Sequence, residues 1–269
     1  MGAIDTRDHR IQQKLADYLR SETLAEANMI QNDFEYKETI YTKYIKRLLD
    51  ISISLPAVII TIPVNFFIGI ITIIFIGFPM FYSQERVGKD GRTFKLTKFR
   101  NMTNDVGEDG ELLPPDQRMT KMGVLLRKTS MDELLNFWNI LKGDMSIIGP
   151  RALPPVYNDR YSERHKMRFK VRPGLECPPI SPLDHERSWN ERFENDCWYV
   201  QNISFKTDCI MIIKLFEFAF NRKNARMRSN ARSGSFIGYN KEGIAISNYD
   251  LDEEAIIKIL GSESNNTHQ

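Results

Sequence analysis

One long stretch without charge constrains this chain more than any other feature. From Ile51 to Gln84 the sequence contains no Asp, Glu, Lys, Arg or His. A helix needs about 20 apolar residues to cross a hydrocarbon layer about 30 Å thick, so this stretch is long enough to do so. Roughly fifty residues with many charges precede it and no small-residue cleavage pattern follows, which argues against a signal peptide. We therefore expect a membrane segment that remains in the mature protein.

Two membrane paths fit this segment. Pro56 and Pro63 interrupt it, each removing a backbone donor and clashing with the preceding turn, and Asn65 adds a polar group. These breaks favour a re-entrant hairpin, but a proline-kinked single crossing explains them equally well, because neighbouring groups can satisfy the freed carbonyls. Flanking charge favours neither orientation, which suits two cytoplasmic ends. The flanking basic residues are Lys43, Lys46 and Arg47 before the segment and Arg86, Lys89, Arg92, Lys95 and Lys98 after it.

The composition is that of a folded protein that faces the cell interior. With 269 residues, 42% hydrophobic and 27% charged, the chain is long enough for a packed core, which excludes disorder and a disulfide-stapled miniprotein. A net charge of +2 argues against duplex nucleic acid as the main partner. Cys177, Cys197 and Cys209 lack CxxC spacing, so we expect free thiols in a reducing compartment instead of a disulfide or zinc site.

The two ends of the chain differ in pattern. Residues 1–43 form an extension in which Ile11, Leu15, Tyr18 and Leu19 have helical spacing, so we expect an amphipathic helix before the membrane. Residues 221–269 begin with a basic run at 222–228 and continue Ser/Gly/Asn-rich with an acidic end, which is typical of a solvated tail. Contact between the basic run and lipid headgroups is the alternative.

The polar region after the membrane segment contains few predicted strands. Residues 86–96 read as two short strands around an Asp90-Gly91 turn, because that dipeptide accepts positive φ. Residues 104–117 are acidic and rich in Gly and Pro, which predicts a mobile loop without regular structure. The predicted fold is mixed α/β and α-rich: a small cytoplasmic domain with a short β-hairpin, attached to a re-entrant membrane helix.

A helix near the middle of the chain carries two adjacent carboxylates. Ser130 precedes Glu133 by three residues, the capping-box spacing, and Lys142-Gly143 supplies a C-terminal stop. Asp132 and Glu133 in the first turn complement the helix dipole, and that structural role is the usual one. The same helix start can also bind phosphate among nearby cations, with an ionised Asp as nucleophile and Mg²⁺ between carboxylates. The candidate cations are Arg118, Lys121, Arg127, Lys128 and Arg151.

Other chemistries lack their required residues. The chain has no GxxxxGK[ST], no GxGxxG after a strand and no HExxH, which excludes P-loop, Rossmann and zincin readings. His165 and His185 are isolated in sequence, so each is expected to be a hydrogen-bonding or surface histidine.

These motifs resemble one known family, the bacterial sugar transferases, which are monotopic polyprenyl-phosphate phosphoglycosyl transferases. The similarity covers roughly Tyr44 to Phe220 and leaves out both termini. The matching residues are Lys46-Arg47, Asp50, Gln84-Glu85-Arg86-Val87-Gly88, Phe94, Lys98-Phe99-Arg100, Met102, Asp116, Arg118, Thr120, Gly123, Arg127, Thr129-Ser130, Asp132-Glu133-Leu134, Asn139, Leu141 to Arg151, Val171 to Gly174, Asp196, Tyr199-Val200, Asn202, Ser204 and Asp208.

The resemblance implies transfer of a sugar-1-phosphate from a UDP-sugar to undecaprenyl phosphate, with release of UMP, in the first membrane step of surface glycan assembly. Asp132 would form a covalent phosphosugar intermediate, and Glu133 would assist it and share a Mg²⁺ ion. The family architecture also implies a re-entrant helix broken at Pro63 and an active site on the cytoplasmic face of the plasma (inner) membrane. Membrane lipids are implied partners, and a homo-oligomer stays open. The implied substrate- and phosphate-binding residues are Arg86, Lys98, Arg100, Arg118, Arg127, Arg151 and Arg172.

On this reading, residues 44–84 are the membrane region and residues 85–220 are the catalytic domain. The chain departs from the family pattern at three places: Ile62 replaces a serine before Pro63, Ala152 replaces a proline, and residues 175–182 replace a Thr-Gly-Trp segment. The altered later loops leave the sugar open. They also keep an alternative open, a membrane-anchored scaffold or partner of a glycan-assembly complex that has lost turnover.

Overall fold

The computed structural model of the protein describes residues 6, 8–29, 35–108, 110–181, 185–220 and 234–266. The basic run at 222–228 lies outside the described residues. The regular elements are α1 (His9–Met29), α2 (Lys46–Ile76, preceded by a π-helical turn at Tyr41–Ile45), β1 (Phe81–Val87), β2 (Thr93–Phe99), α3 (Pro115–Arg118), α4 (Lys121–Thr129), α5 (Asn136–Lys142), β3 (Ser146–Ile148), β4 (Gly174–Glu176), α6 (Trp189–Gln201), α7 (Phe205–Phe220), β5 (Phe236–Tyr239), β6 (Ala245–Ser247) and α8 (Glu253–Asn266).

The fold is mixed α/β and rich in helix, as predicted. The strands of the described residues form three two-stranded sheets: β1–β2 and β5–β6 are antiparallel, and β3–β4 is parallel. Side chains from α5, β3, α6 and α7 pack into one buried cluster that includes Ile140, Ile148 and Tyr199. This cluster supports the polar face on which the candidate site lies.

Most of the uncharged stretch, as far as Ile76, lies in a single long helix. Tyr41–Ile76 is the one helix in the described part of the chain that is long and apolar enough to cross a membrane. Pro56 and Pro63 both lie inside α2, and the helix continues through them. Whether this helix re-enters or crosses a bilayer stays a prediction.

Both ends of α2 contact the same polar domain. At the N-terminal end, Arg47 donates from Nη1 to the carbonyl oxygen of Ile140 over 2.6 Å and from Nη2 to that of Leu141 over 2.8 Å. At the C-terminal end, Ile68 and Ile76 pack in a buried cluster with Phe99 and Leu126. Between Val58 and Ile68 no residue of α2 is buried. The middle of the helix therefore lies outside the domain that holds its ends.

The hairpin prediction is confirmed. β1 pairs with β2 from Phe81 opposite Phe99 to Val87 opposite Thr93. The turn holds Asp90 at a φ of 56° and Gly91 at a φ of 75°, the left-handed conformation that the Asp-Gly pair was expected to take.

The expected capping box at Ser130 is wrong. Ser130 ends α4 instead of starting a helix: its φ is 55°, and its side chain makes no capping hydrogen bond. Helices commonly end at a residue in the left-handed conformation, and Ser130 takes that position directly after Thr129, the last residue of α4. A short 3₁₀ turn, Met131–Glu133, follows before α5, and Gly143 ends α5 with a φ of 99°, as predicted.

Two further expectations need correction. Part of the 104–117 loop has structure, since Val106 and Leu112 form an isolated bridge and α3 begins at Pro115. The prediction of a solvated tail is wrong for residues 234–266, because β5 lies against α1 and its Ile237 is buried beside Leu15 and Leu19. The predicted N-terminal helix is confirmed as α1, and its apolar face meets this C-terminal hairpin.

Candidate active site

Asp132 lies in the 3₁₀ turn between α4 and α5 and is buried, with 3% of its surface exposed. Asn101, just after β2, donates from Nδ2 to Asp132 Oδ2 over 2.8 Å. Burial raises the pKa of Asp132 and the charge of Glu133 raises it further, while Lys98 and the Asn101 hydrogen bond lower it. The net direction is upward. The direct partner of Asp132 is therefore a neutral amide, and its carboxylate keeps much of its basicity.

Glu133, the next residue, has a different partner. Arg151 donates from Nη2 to Glu133 Oε1 over 2.7 Å. Burial raises the pKa of Glu133, but the charges of Arg151 and Lys98 outweigh it, so the pKa lies below its ordinary value. The same contact raises the pKa of Arg151. The pKa values of the two neighbouring carboxylates are thus shifted in opposite directions, an arrangement that gives them different roles.

Further cations surround this pair. Lys98 on β2, Arg86 on β1 and Arg127 on α4 all interact electrostatically with Glu133, and Lys98 and Arg127 interact also with Asp132. Burial lowers the pKa of each of these three cations. Their desolvated charges suit a site for a phosphate or diphosphate group.

The structure brings together four of the sequence-predicted phosphate-binding residues, Arg86, Lys98, Arg127 and Arg151, around the Asp132–Glu133 pair. The other three donate to backbone carbonyls elsewhere. Arg100 bonds to Pro79 and Met102, Arg118 to Leu113 and Thr103, and Arg172 to Gly143. For these three arginines the geometry favours bracing of turns over contact with phosphate.

Sequence reasoning missed two side chains of the site. Asn101, which holds Asp132, stands inside the Lys98 to Met102 motif, and its position next to those residues was the available signal. Glu176, at the end of β4, lies 3.6 Å from Arg151 through Oε2. It lies in segment 175–182, and the departure of that segment from the family pattern was the only sequence signal for it.

A Mg²⁺ ion in this site would be held by Asp132 and Glu133. Among the described residues no group of three or more His, Cys, Asp or Glu side chains comes together. Asp132 and Glu133 each accept a protein hydrogen bond on one oxygen, and no described residue donates to the second oxygen of either. Mg²⁺ is commonly held by one or two carboxylates with the remaining ligands from water and substrate phosphates. The pair therefore fits Mg²⁺.

Comparison with known proteins shows which family this sequence matches. The profile of the bacterial sugar transferase family matches residues 41–222, which include α2, the hairpin and every residue of the site. This chain belongs to the bacterial sugar transferase family. α1, β5, β6 and α8, the N- and C-terminal elements that pack on each other, lie outside the matched residues.

Three relatives define what this sugar transferase resembles. It is 38% identical over 175 residues to the uncharacterized sugar transferase EpsL of Bacillus subtilis, covering 64% of this chain and 87% of that one. It is 30% identical over 206 residues to the UDP-galactose-lipid carrier transferase of Erwinia amylovora, covering 68% and 42%. It is 29% identical over 213 residues to the undecaprenyl-phosphate galactose phosphotransferase of Salmonella typhimurium, covering 73% and 44%. The chain thus spans less than half the length of the last two.

Proposed function

We propose that this protein transfers a sugar-1-phosphate from a UDP-sugar to undecaprenyl phosphate and releases UMP. The names of the relatives from Erwinia amylovora and Salmonella typhimurium support both substrates. The observation that carries the proposal is the unequal pairing of the two carboxylates. Glu133 is neutralised by Arg151, whereas Asp132 is fixed by the neutral Asn101 and faces the cations Lys98 and Arg127.

The reaction proceeds in two displacements at one phosphorus atom. A carboxylate oxygen of Asp132 attacks the phosphorus that carries the sugar; the new oxygen–phosphorus bond forms as the bond to the bridging oxygen breaks, and UMP leaves with that electron pair. A phosphate oxygen of the lipid then attacks the same phosphorus and releases Asp132. The products are UMP and a polyprenyl-diphosphate sugar, the starting unit of a surface glycan.

The chain's own residues give this reaction its electrostatics. Arg86, Lys98, Arg127 and Arg151 offset the negative charge of the two phosphates as they approach a carboxylate. Asp132 and Glu133 would hold Mg²⁺, which supplies further charge neutralisation at the diphosphate. Asn101 fixes the carboxylate plane of Asp132, so the nucleophile starts close to its attacking orientation.

We further propose that α2 is re-entrant, with a bend near Pro63 that does not interrupt the helix, and that the active site is on the cytoplasmic face of the inner membrane. Both ends of the helix pack on one domain, while the stretch between Val58 and Ile68 has no buried residue and is mostly apolar. A single crossing would place the two ends on opposite sides of the bilayer. The contacts of Arg47 at one end and Ile76 at the other favour a common side.

UMP release by detergent-purified protein tests the reaction, with Mg²⁺, undecaprenyl phosphate and a panel of UDP-sugars. We expect release that depends on donor and lipid, and loss of at least about 10³-fold in rate for Asp132→Asn. Asp90→Asn, in the exposed hairpin turn, is the matched control and should retain full activity. With a donor labelled in its sugar, the label should remain on denatured wild-type protein and be absent from Asp132→Asn.

Full UMP release by Asp132→Asn would contradict the covalent mechanism. A folded protein that binds UDP but turns over no donor would favour the alternative, a non-catalytic membrane partner in glycan assembly.

Cysteine labelling in intact cells tests the membrane path. Cys209 is exposed and would first be replaced by Ser. Single cysteines at Lys43, before α2, and Lys89, in the hairpin turn, should then both resist a membrane-impermeant maleimide until the cells are opened. Labelling of one position alone in intact cells would mean a true crossing and would overturn the re-entrant path.

A further inference from the structure

Glu176 is a buried acid beside the active-site arginine. Its side chain, at the end of β4, is 14% exposed. Oε1 accepts a hydrogen bond from Arg187 Nη2 over 2.9 Å, and Oε2 lies 3.6 Å from Arg151 Nη1. Burial raises the pKa of Glu176, but the charges of Arg187 and Arg151 outweigh it, so the pKa lies below its ordinary value. Glu176 is therefore an anion at neutral pH.

The guanidinium of Arg151 is divided between two acids. Its Nη2 donates to Glu133 Oε1 over 2.7 Å. Its Nη1 is turned to β4, where it donates to the carbonyl oxygen of Leu175 over 3.2 Å and faces Glu176. Arginine and carboxylate often pair through two parallel hydrogen bonds. Here Arg151 contacts Glu133 through Nη2 alone, while Nη1 is engaged by β4.

Arg187 fixes Glu176 in this position. It donates from Nη1 to the carbonyl oxygen of Cys177 over 2.9 Å and from Nη2 to Glu176. Its own side chain is 10% exposed. The loop after β4 thus brings an arginine back onto Glu176, and that pairing stabilises a carboxylate which burial alone would neutralise.

We propose that Glu176 is a positioning residue for Arg151: it holds Nη1 on β4, so that Arg151 contacts Glu133 through Nη2 alone and keeps its Nε–H for the donor diphosphate. This inference rests on the proposed function. Without the charge at Glu176, Arg151 turns onto Glu133 as a two-bond fork, and the diphosphate loses one cationic partner. Asp132 is held separately by Asn101, so the chemical step is little affected.

Glu176→Gln tests the proposal, because it keeps the size of the side chain and removes its charge. We expect KM for the UDP-sugar and the dissociation constant for UDP to rise about tenfold, the size of one charge-assisted hydrogen bond, with kcat within about twofold of wild type. Arg187→Gln removes the loop contact but keeps the anion beside Arg151, and should raise KM less. Unchanged KM and UDP affinity in folded Glu176→Gln would overturn the proposal.

A charge swap separates positioning from bracing of the loop. The double change Glu176→Arg with Arg187→Glu restores an ion pair within the loop but places a cation beside Arg151. We expect it to recover thermal stability and to keep the raised KM. Recovery of wild-type KM by the swap would mean that Glu176 only braces the loop. If Glu176→Gln does not fold, the swap carries the test by the same two outcomes.

The failure of the proposed function would look different. Wild-type protein would then release no UMP, and Asp132→Asn would change nothing. In that case the calorimetric affinity for UDP decides: weaker binding confined to the variants without an anion at position 176 supports the proposal, and equal binding overturns it.

Discussion

The amide of Asn101 donates to the carboxylate of Asp132 over 2.8 Å, and both side chains are buried, at 5% and 3% exposure. A hydrogen bond to a buried carboxylate favours its charged form and fixes its orientation. Burial and the charge of Glu133 act in the opposite direction and raise the pKa of Asp132. Asn101 therefore limits how far the pKa of the proposed nucleophile rises.

The change Asn101→Leu should shift the acid limb of the pH–rate profile upward. Asp132 must be ionised to attack, so activity rises with pH through its pKa. A hydrogen bond to a charged group is worth about 1.5–3 kcal/mol, and its loss disfavours the carboxylate and raises that pKa further. The measurement is kcat/KM for UMP release from about pH 4.5 to 9, a range in which a folded protein usually stays stable. The pH dependence of kcat/KM reports the ionisable groups of the free enzyme.

The matched control is Asn104→Leu, because Asn104 is exposed in the neighbouring loop. Its acid limb should coincide with that of wild type. An unchanged midpoint in Asn101→Leu would show that the amide orients Asp132 without tuning its pKa.

Local chemistry explains what could be predicted from sequence. The Asp90-Gly91 turn and the Gly143 helix stop each depend on a few neighbouring residues, and both have the expected positive φ. Ser130 also takes a positive φ, but sequence reasoning placed it at the wrong end of a helix, because serine suits both a helix start and, less often, a left-handed stop. The prediction of Asp132 and Glu133 as the candidate pair does not depend on the role of Ser130.

Long-range contacts explain what was missed. The hairpin of β5 and β6 looked like a tail because its neighbours are polar, and its partner α1 is more than two hundred residues away in sequence. The sequence also shows that a side chain is charged without showing which group it contacts. Arg151 and Arg172 both resembled phosphate ligands, but the fold aims one at Glu133 and the other at the carbonyl oxygen of Gly143.

Gly123→Ala should disturb the site without removing any of its polar groups. Gly123 packs against the backbone of Asn101 so closely that an added Cβ would overlap its carbonyl oxygen. Because backbone cannot move away as a flexible side chain does, we expect a loss of about 1–3 kcal/mol in unfolding free energy and a lower kcat. Thermal unfolding and UMP release measure the two effects.

Gly261→Ala is the matched control, since a Cβ there meets no atom within 4 Å. Alanine has a higher helix propensity than glycine, so this variant should be as stable as wild type or slightly more stable. A neutral result for Gly123→Ala would mean that α4 and the segment at Asn101 can separate without harm.

Phe236→Ala tests the C-terminal hairpin, which lies outside the family match. Phe236 on β5 is fully buried, and its ring lies 4.9 Å from that of Phe193 on α6 and 5.6 Å from that of Tyr161, centroid to centroid. Truncation of a buried phenylalanine costs about 3–5 kcal/mol, so the melting temperature should fall sharply. Ile244→Ala, at a position 45% exposed, should change it little. Equal melting temperatures would mean that the C-terminal hairpin does not stabilise the domain.

Lys46→Met tests the attachment of α2 to the domain. Lys46 Nζ donates to Asp208 Oδ2 over 2.6 Å, and Tyr199 donates its hydroxyl to Oδ1 of the same carboxylate over 2.6 Å. Removal of the cation leaves a buried carboxylate without its ion partner, which costs about 3–5 kcal/mol in comparable buried pairs. We expect a lower melting temperature in detergent, with most of the loss recovered by the double change Lys46→Met with Asp208→Asn.

Lys43→Met, three residues earlier and exposed, is the matched control and should leave stability unchanged. The recovery in the double variant decides the interpretation. If Asp208 destabilises the protein only when Lys46 is absent, the ion pair holds the first turn of α2 on α7. If the single and double variants melt at the same temperature, the contribution of Lys46 is packing of its aliphatic stem, and the hydroxyls of Tyr199 and Tyr41, which both donate to Asp208, satisfy the carboxylate alone.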